Sequence, residues 1–162
     1  MKAIHLFSAT AIAGAVLAAA AVQGADHGAS KQIARGRYLA TVGNCNDCHT
    51  AGYAPTDGKV PEKEWLKGDR LGFSGPWGTT YPTNLRLSLS RMTEDQWVHY
   101  AKALKVRPPM PWFTVNQWTE ADLRAFHKYV THLGPAGDPA PQALPPGQKP
   151  KLPYVEWVLP AK

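Results

Sequence analysis

The spacing of apolar residues along the chain predicts three helices, separated by segments that keep no regular period. The helices are expected at residues 31–43, 93–105 and 119–133, where apolar side chains recur every three or four positions. In the first helix, Gly36 and Ala40 lie on the same stripe. Because both residues are small, this stripe is predicted to let a second helix approach closely.

The ends of the predicted helices carry capping signals. Thr93 and Gln96 stand at the N-cap and N3 positions of the second helix, which is the spacing of a capping box. Thr119 is predicted to cap the third helix, and Ser30 the first. Gly134, which a proline follows, is expected to end the third helix.

Residues 50–91 show no helical or strand period and are predicted to be mostly loop, with room for a short helix at residues 62–67. Ten glycines and prolines interrupt this stretch. An irregular segment of this length is uncommon in a compact domain unless something other than backbone pairing organises it. We therefore expect a bound group to order this part of the chain.

Residues 134–162 are rich in proline and glycine and are predicted to form an extended tail. Apolar residues return only near its end, at Tyr154, Val155, Trp157 and Val158. Since an exposed apolar segment is a liability in water, these side chains are expected to anchor the tail to the body of the protein or to a partner.

The N-terminal stretch is typical of a secretory signal peptide, which is expected to span residues 1–24. Lys2 supplies the positive start, residues 4–22 are apolar and rich in alanine, and cleavage is expected before Ala25. The alternative is an uncleaved membrane anchor, for which the apolar stretch is nearly long enough. In both cases the remaining chain lies outside the cytoplasm, and a bacterial periplasm is the expected compartment.

The chain of 162 residues is long enough for one modest domain, with a formal net charge of +6. We expect the signal peptide at residues 1–24, the domain at residues 25–134 and a proline-rich extension at residues 135–162. A mildly basic surface suits docking to acidic protein partners. No dense cluster of lysine and arginine occurs in the sequence, so binding to nucleic acid is not predicted.

Residues 45–49 read Cys-Asn-Asp-Cys-His, which is the C-x-x-C-H sequence that attaches a c-type haem. Two cysteines three positions apart on a helical turn present both sulfurs to one side, where each thiol can add to one porphyrin vinyl group. Cys45 and Cys48 are therefore the predicted attachment points. His49 then lies under the ring and is predicted to bind the iron through a ring nitrogen.

Other interpretations of these five residues are weaker. A thioredoxin-like redox pair would follow a strand, and residues 33–43 contain no β-branched run. A zinc site would need further cysteine or histidine ligands at close spacing, yet the chain has only two cysteines. A disulfide between Cys45 and Cys48 would close a very small loop. Covalent haem, which uses both cysteines, is the favoured prediction.

Four residues are predicted to contact the haem. Trp77, Tyr81 and Trp112 offer aromatic rings for apolar contact. Trp77, Tyr81 and Asn84 also carry hydrogen-bond donors for the haem propionates. The alternative for each aromatic residue is an ordinary place in the core.

The second axial position decides between electron transfer and small-molecule chemistry. Met110 is the predicted ligand, because residues 107–112 read Arg-Pro-Pro-Met-Pro-Trp and three prolines stiffen this loop. A thioether is a soft, neutral ligand that favours ferrous iron and raises the reduction potential. The alternatives are an open distal site or one of four other side chains. These are Met92, His99, His127 and His132.

This order of motifs resembles class I cytochrome c, over residues 31–134. In that family an N-terminal helix leads into C-x-x-C-H, a methionine follows in a proline-containing loop, and a C-terminal helix crosses the first. The resemblance implies an all-α cytochrome c fold, with three to four short helices and long loops wrapped around one haem. It also implies that Gly36 meets Phe126 or Tyr129 where the first and last helices cross.

A narrower resemblance rests on residues 78–84, Gly-Thr-Thr-Tyr-Pro-Thr-Asn, together with residues 92–97 and 110–112. These stretches look like the cytochrome domains that serve membrane-bound alcohol and gluconate dehydrogenases. Subunits of that kind usually carry several haem sites, whereas this chain has one attachment motif.

The function implied is a periplasmic single-electron carrier, not an enzyme, that shuttles electrons between a dehydrogenase and a terminal acceptor. The alternative is a haem enzyme or a gas-binding haem protein with an open distal site.

Overall fold

The computed structural model describes residues 27–151 and 153–160, so the predicted signal peptide lies outside the described residues. No helix in these ranges combines the length and apolarity that crossing a membrane requires. The described chain is rich in helix. Its α-helices are α1 (27–42), α2 (Cys45–His49), α3 (Leu85–Leu89), α4 (Glu94–Ala103), α5 (Trp112–Asn116) and α6 (Glu120–Leu133). Two 3-10 turns cover Ala54–Thr56 and Glu62–Glu64.

The three predicted helices are present as α1, α4 and α6, and their capping signals mostly hold. Thr93 accepts from the Gln96 N–H while the Gln96 side chain accepts from the Thr93 N–H, which confirms the capping box. Thr119 accepts from the Asp122 N–H and caps α6. The prediction of Ser30 as an N-cap is wrong, because α1 already covers residue 27 and Ser30 lies inside the helix.

Helices α1 and α6 cross at Gly36. A Cβ atom added there would lie 2.1 Å from the carbonyl oxygen of Ala125 and 2.5 Å from the Cβ of Tyr129. The two backbones thus approach more closely than any larger residue would allow. The expected contact between glycine and an aromatic residue is confirmed for Tyr129, while the ring of Phe126 packs on Trp97.

Helix α4 packs beside α6 and completes the apolar core. The Trp97 ring centroid lies 5.8 Å from that of Phe126, and its indole N–H donates to the Leu123 carbonyl at 2.9 Å. The periodic apolar stripes of the three long helices therefore face one another. The core residues with no more than 1% of their surface exposed are Ala40, Leu66, Leu89, Ala101, Leu123, Tyr129 and Val130.

Three short strands form a sheet: β1 (Gly72–Gly75), β2 (Gly78–Thr80) and β3 (Tyr154–Glu156). Strand β1 pairs antiparallel with β2 and parallel with β3, in the order β2-β1-β3. The all-α prediction is therefore corrected, and the cytochrome c fold is matched only loosely. Strands β1 and β2 consist mainly of glycine, serine and threonine, so no apolar alternation marks them in the sequence.

The predicted count of three to four helices is too low. Helices α2, α3 and α5 have five residues each. A helix of that length is too short to show an apolar period, so pattern analysis does not detect it. The short helix expected at residues 62–67 is a 3-10 turn at Glu62–Glu64.

The extension after α6 is irregular apart from β3, as predicted for the described part of the tail, and backbone hydrogen bonds attach it to the body. Leu144 and Thr79 exchange two such bonds, of 2.9 and 3.1 Å. Further along, the Trp157 N–H donates to the Ser74 carbonyl at 2.8 Å. The domain boundaries drawn after residues 24 and 134 remain predictions.

Candidate haem site

The C-x-x-C-H residues form α2, a single helical turn that closely follows α1. Asn44 makes the junction in the left-handed conformation, with a φ of 55°. Cys45 and Cys48 are three residues apart on this turn and share one side of it. Both are free thiols. This arrangement has the spacing that attachment to two vinyl groups requires.

His49 is buried, and one of its ring nitrogens is already committed. Its Nδ1 lies 2.7 Å from the carbonyl oxygen of Thr83. A carbonyl only accepts hydrogen bonds, so the proton is on Nδ1 and the lone pair is on Nε2. Burial lowers the pKa of His49 more than the bond to Thr83 raises it, which keeps the ring neutral. Such an imidazole is prepared to bind a metal through Nε2.

A glycine fixes the chain that holds this imidazole. The Gly68 N–H donates to the His49 carbonyl at 2.8 Å. Gly68 has a φ of 80°, and a Cβ atom on it would lie 2.7 Å from the Pro82 carbonyl oxygen. Only glycine fits this position. The segment that carries Thr83 is thereby held beside α2, and the orientation of the His49 ring is set in advance.

The two thiols are not activated for redox chemistry. Burial raises the pKa of Cys45 to about 12 and also raises the pKa of Cys48. Reactive cysteines in disulfide exchange show the opposite shift, because the thiolate is the nucleophile. A zinc site is also disfavoured, since no three His, Cys, Asp or Glu side chains gather into a metal-binding group in the described ranges.

Residues 80–83 connect the surroundings of the two predicted axial ligands. At one end, the Thr80 hydroxyl donates to the Pro108 carbonyl at 2.8 Å. At the other end, the carbonyl of Thr83 accepts the imidazole hydrogen bond. A run of four residues therefore contacts both the imidazole and the loop of Met110, although these are far apart in sequence.

Met110 is half-buried and lies outside the apolar core formed by the described residues. Its carbonyl accepts the Trp112 N–H at 2.9 Å, which leads the chain into α5. The core therefore gives no structural reason for a methionine at this position. Its role as an iron ligand stays a prediction.

The alternative axial residues have other surroundings. Met92 packs against the core, and its carbonyl lies 2.9 Å from Nε2 of His127, which is itself buried. His127 is thus a packed core histidine with a committed nitrogen. His99 and His132 are exposed. Each of these four residues has a place that the fold explains without iron.

Trp77 carries a buried donor in need of an acceptor. Its indole Nε1 is one of three buried side-chain polar atoms that find no partner in the described chain, with Asn46 Nδ2 and Thr79 Oγ1. The ring packs edge-on against Trp157 at 5.8 Å. Because an unpaired buried N–H is costly, a carboxylate such as a haem propionate would satisfy it. The orphaned donor fits the predicted haem contact.

Tyr81 and Trp112 are both half-buried. Tyr81 lines a cavity of about 330 Å³ between the body and the extension. Arg70, Lys149 and Lys151 line the same cavity, and the described residues around it include no acidic side chain. The cavity is therefore a basic region next to one of the predicted haem contacts.

Asn84 has a structural role that the sequence did not reveal. Its Oδ1 accepts the Leu87 N–H at 3.0 Å and caps α3. Its Nδ2 donates to the carbonyls of Ala136 at 2.8 Å and Asp138 at 3.1 Å. Both donor hydrogens are thus in use, so a hydrogen bond from this side chain to a propionate would require one of these bonds to break.

Two arginines make long-range contacts that the sequence analysis did not predict. Arg107 donates to the carbonyls of Trp77 and Leu144, both at 2.9 Å. Arg86 is buried and donates to three carbonyls, which belong to Lys63, Leu133 and Gly134. The residues that neighbour an arginine in the sequence do not indicate which distant carbonyls it will contact in the fold.

The residues present fit a covalently attached haem. The attachment turn offers two protonated thiols on one side, an imidazole with an available Nε2 and, elsewhere in the loops, a buried donor that lacks an acceptor. These features define a class, namely a helix-rich protein whose C-x-x-C-H turn has the residues needed to hold a haem.

Comparison with known proteins supports this class. Over 128 residues the chain is 30% identical to the fructose dehydrogenase cytochrome subunit of Gluconobacter japonicus, a match that covers 70% of this chain and 24% of the relative. The chain thus spans about a quarter of the length of the curated relative it matches. No family model and no solved structure matches the chain. The similarity supports a cytochrome c family without singling out the monohaem class I.

Proposed function

We propose that this chain is a monohaem class I cytochrome c that carries single electrons in the periplasm. The observation that carries the proposal is the state of His49. Its proton is held on Nδ1 by Thr83, and Nε2 is left for iron, directly beside two free thiols on one helical turn. That combination serves covalent haem attachment and serves neither dithiol exchange nor a bare metal.

Each residue has a defined part in this proposal. Cys45 and Cys48 would form the two thioethers, His49 would be the proximal ligand and Met110 the distal one. When bound, the haem supplies a reversible one-electron couple between ferric and ferrous iron. The hydrogen bond from His49 to Thr83 and the bond from Thr80 to Pro108 would limit the movement of the segments that carry His49 and Met110. Because His49 is buried, the protein would limit the access of water to its imidazole when the haem is bound.

The cellular role is proposed from charge and similarity. A formal net charge of +6 suits an acidic docking partner, and the basic cavity near Tyr81 offers a local concentration of positive charge. The matched relative is a dehydrogenase cytochrome subunit. We therefore propose that a dehydrogenase donates the electron, that export by the predicted signal peptide places the chain in the periplasm, and that a terminal acceptor receives the electron.

A haem stain on a denaturing gel tests the attachment. The protein is expressed with export and maturation machinery, and wild type is expected to keep a stained band after denaturation. The double variant Cys45→Ala/Cys48→Ala is expected to lose it. Asp47→Ala is the matched control, because this exposed residue lies between the cysteines, and it should keep the stain. A colourless wild type with two titratable thiols would end the proposal.

The distal ligand is tested by spectroscopy on the oxidised protein. Methionine ligation gives a weak far-red band from sulfur-to-iron charge transfer, and Met110→Ala should remove this band and lower the reduction potential. Met92→Leu is the control, since Met92 packs against the core, and the band should remain. Rapid, complete binding of carbon monoxide to the reduced wild type would favour the open-site alternative instead.

A further inference from the structure

The loop that carries Met110 has little means of holding itself in place. Pro108, Pro109 and Pro111 have no backbone N–H, so this stretch donates almost no backbone hydrogen bonds. The carbonyl of Pro108 is bound by the hydroxyl of Thr80. The carbonyls of Met110 and Pro111 accept from the N–H groups of Trp112 and Thr114 in the adjoining helix α5. A further restraint that ties the loop to distant parts of the chain comes from a side chain.

Arg107 supplies such a restraint. One guanidinium nitrogen, Nη1, lies 2.9 Å from the carbonyl oxygen of Trp77 and 2.9 Å from that of Leu144. Trp77 belongs to the turn between β1 and β2, and Leu144 belongs to the extension. A single side chain at the start of the methionine loop thus joins three separate parts of the chain.

The extension is fixed at the same point by its own backbone. The Leu144 N–H donates to Thr79 at 2.9 Å, and the Thr79 N–H donates to Leu144 at 3.1 Å. The Leu144 carbonyl therefore receives two donors, one from Thr79 and one from Arg107. Gly78 lies under this crossing, and a Cβ atom there would be 2.3 Å from the Leu144 carbonyl oxygen. The extension is in close contact with the hairpin at this position.

We infer that Arg107 and the extension up to Leu144 form a clasp that positions Met110. Arg107 is a positioning residue, since it acts through the backbone of the loop. The inference gives residues 135–144 a role in ligand retention, and it rests on the proposed function of Met110 as the distal ligand. The clasp lowers the fraction of time in which the loop stands open.

Imidazole binding to the oxidised protein measures that open fraction. An external ligand competes with Met110 only when the loop opens, so its apparent dissociation constant varies inversely with the open population. Loss of a charge-assisted hydrogen bond changes such an equilibrium by about tenfold. Arg107→Ala is therefore expected to tighten imidazole binding by about tenfold, and Arg107→Lys to give an intermediate value.

Matched variants separate the clasp from general effects. Lys105→Ala removes a charge from an exposed position in the same loop and should stay within about twofold of wild type. A chain ending at Lys151 loses β3 but keeps Leu144, and it should also stay within about twofold. A chain ending at Ala143 loses Leu144 and should resemble Arg107→Ala. Combining these two changes should give less than the product of their effects, because they share one contact.

Amide exchange at Leu144 provides a readout that does not involve the iron. Arg107→Ala should speed exchange of the Leu144 N–H in the haem-loaded protein, and Lys105→Ala should not. Unchanged imidazole affinity and unchanged exchange in Arg107→Ala would overturn the clasp. If wild type lacks the sulfur-to-iron band, the proposed role of Met110 fails, and the exchange measurement alone then decides whether Arg107 restrains the extension.

Discussion

The helical frame, which consists of α1, α4 and α6, and the loop half, which consists of residues 45–91, bury different kinds of side chain. Among the described residues, ten of the thirteen buried hydrophobic side chains lie in the frame, whereas six of the seven buried polar or charged side chains lie in the loop half. The frame is therefore stabilised by apolar burial, which is not directional. The loop half depends on hydrogen bonds that each need one particular partner.

This difference explains where the candidate site lies. A metal-binding imidazole needs a fixed tautomer and orientation, and directed hydrogen bonds supply both. The hydrogen bond from His49 to the Thr83 carbonyl is one of the polar contacts that organise the loop half. The helical frame supplies the scaffold against which these loops are held. We therefore expect substitutions in the frame to act through apolar packing, and substitutions in the loop half to act through the loss of individual hydrogen bonds.

The largest effect is expected where the frame is closest packed. Gly36→Ala places a Cβ atom 2.1 Å from the carbonyl oxygen of Ala125, which is backbone and cannot turn aside. Helices α1 and α6 must separate, at a cost of about 3 kcal/mol or more in the free energy of unfolding. Thermal or denaturant unfolding of the haem-loaded protein measures this loss.

Gly28→Ala is the matched control on the same helix. A Cβ atom at Gly28 would meet nothing within 4 Å, so this substitution should leave stability unchanged or raise it by up to about 1 kcal/mol. Equal midpoints for Gly36→Ala and wild type would show that the two helices do not cross at this residue.

The next effect concerns Arg86, a buried residue of the loop half whose side chain makes three hydrogen bonds. Arg86→Ala leaves the carbonyls of Lys63, Leu133 and Gly134 without their donor. We expect a loss of about 2 kcal/mol in the free energy of unfolding. Arg91→Ala is the control, because Arg91 is exposed and its side chain makes no hydrogen bond to the described residues. Similar losses in both variants would show that the hydrogen bonds from Arg86 to the three carbonyls do not contribute to the free energy of unfolding.

The two halves also differ in how far the sequence predicts them. The frame was predicted because its stripes recur over several turns, and because Thr93 and Thr119 signal helix starts. In the loop half, a helical turn was predicted for the C-x-x-C-H residues, and residues 50–91 were predicted to be mostly loop with room for a short helix at residues 62–67. Its strands are too short and too rich in glycine to show alternation, and β3 pairs with β1 from the far end of the described chain. A sequence pattern reveals only features that repeat over neighbouring residues, whereas the pairing of β3 with β1 joins residues that are far apart in the sequence.

The parts of the candidate site also differ in how far the sequence predicts them. Cys45, Cys48 and His49 were predicted as haem-binding residues because the C-x-x-C-H motif occupies five consecutive positions. The Thr83 carbonyl that selects the tautomer of His49 is a backbone group, and every residue has one. The contacts of Arg107 likewise depend on tertiary structure. Local motifs therefore predict the candidate haem-binding residues, whereas the contacts that orient their side chains are visible only in the fold.

A comparable effect, divided between two sets of contacts, should separate two functions of Asn84. Asn84→Ala loses both the α3 cap and the bonds to the extension, and should cost about 2 kcal/mol in the free energy of unfolding. Asn84→Ser keeps an oxygen for the cap but has no amide to reach Ala136 or Asp138, so about half of the loss is expected. Equal losses in unfolding experiments would show that only the extension contact matters.

The smallest expected effect is a pH-dependent change in stability, and it concerns an ion pair within the frame. Arg35 on α1 donates to the Asp122 carboxylate on α6 at 2.8 Å, and this bond lowers the pKa of Asp122. The unfolded chain therefore binds this proton more readily than the folded one. The pair stabilises the fold above the ordinary aspartate pKa of about 4, and its contribution is lost as the pH falls through the lower native value.

Asp122→Asn should therefore lose a little stability at neutral pH, and its melting temperature should converge with that of wild type as the pH falls below about 4. Melting temperatures measured across this acid range show the convergence. Asp57→Asn is the control, since that carboxylate is exposed and its ion pair with Lys59 is long, at 3.6 Å. A constant gap between Asp122→Asn and wild type at every pH would mean that the link between α1 and α6 at this point is not ionic.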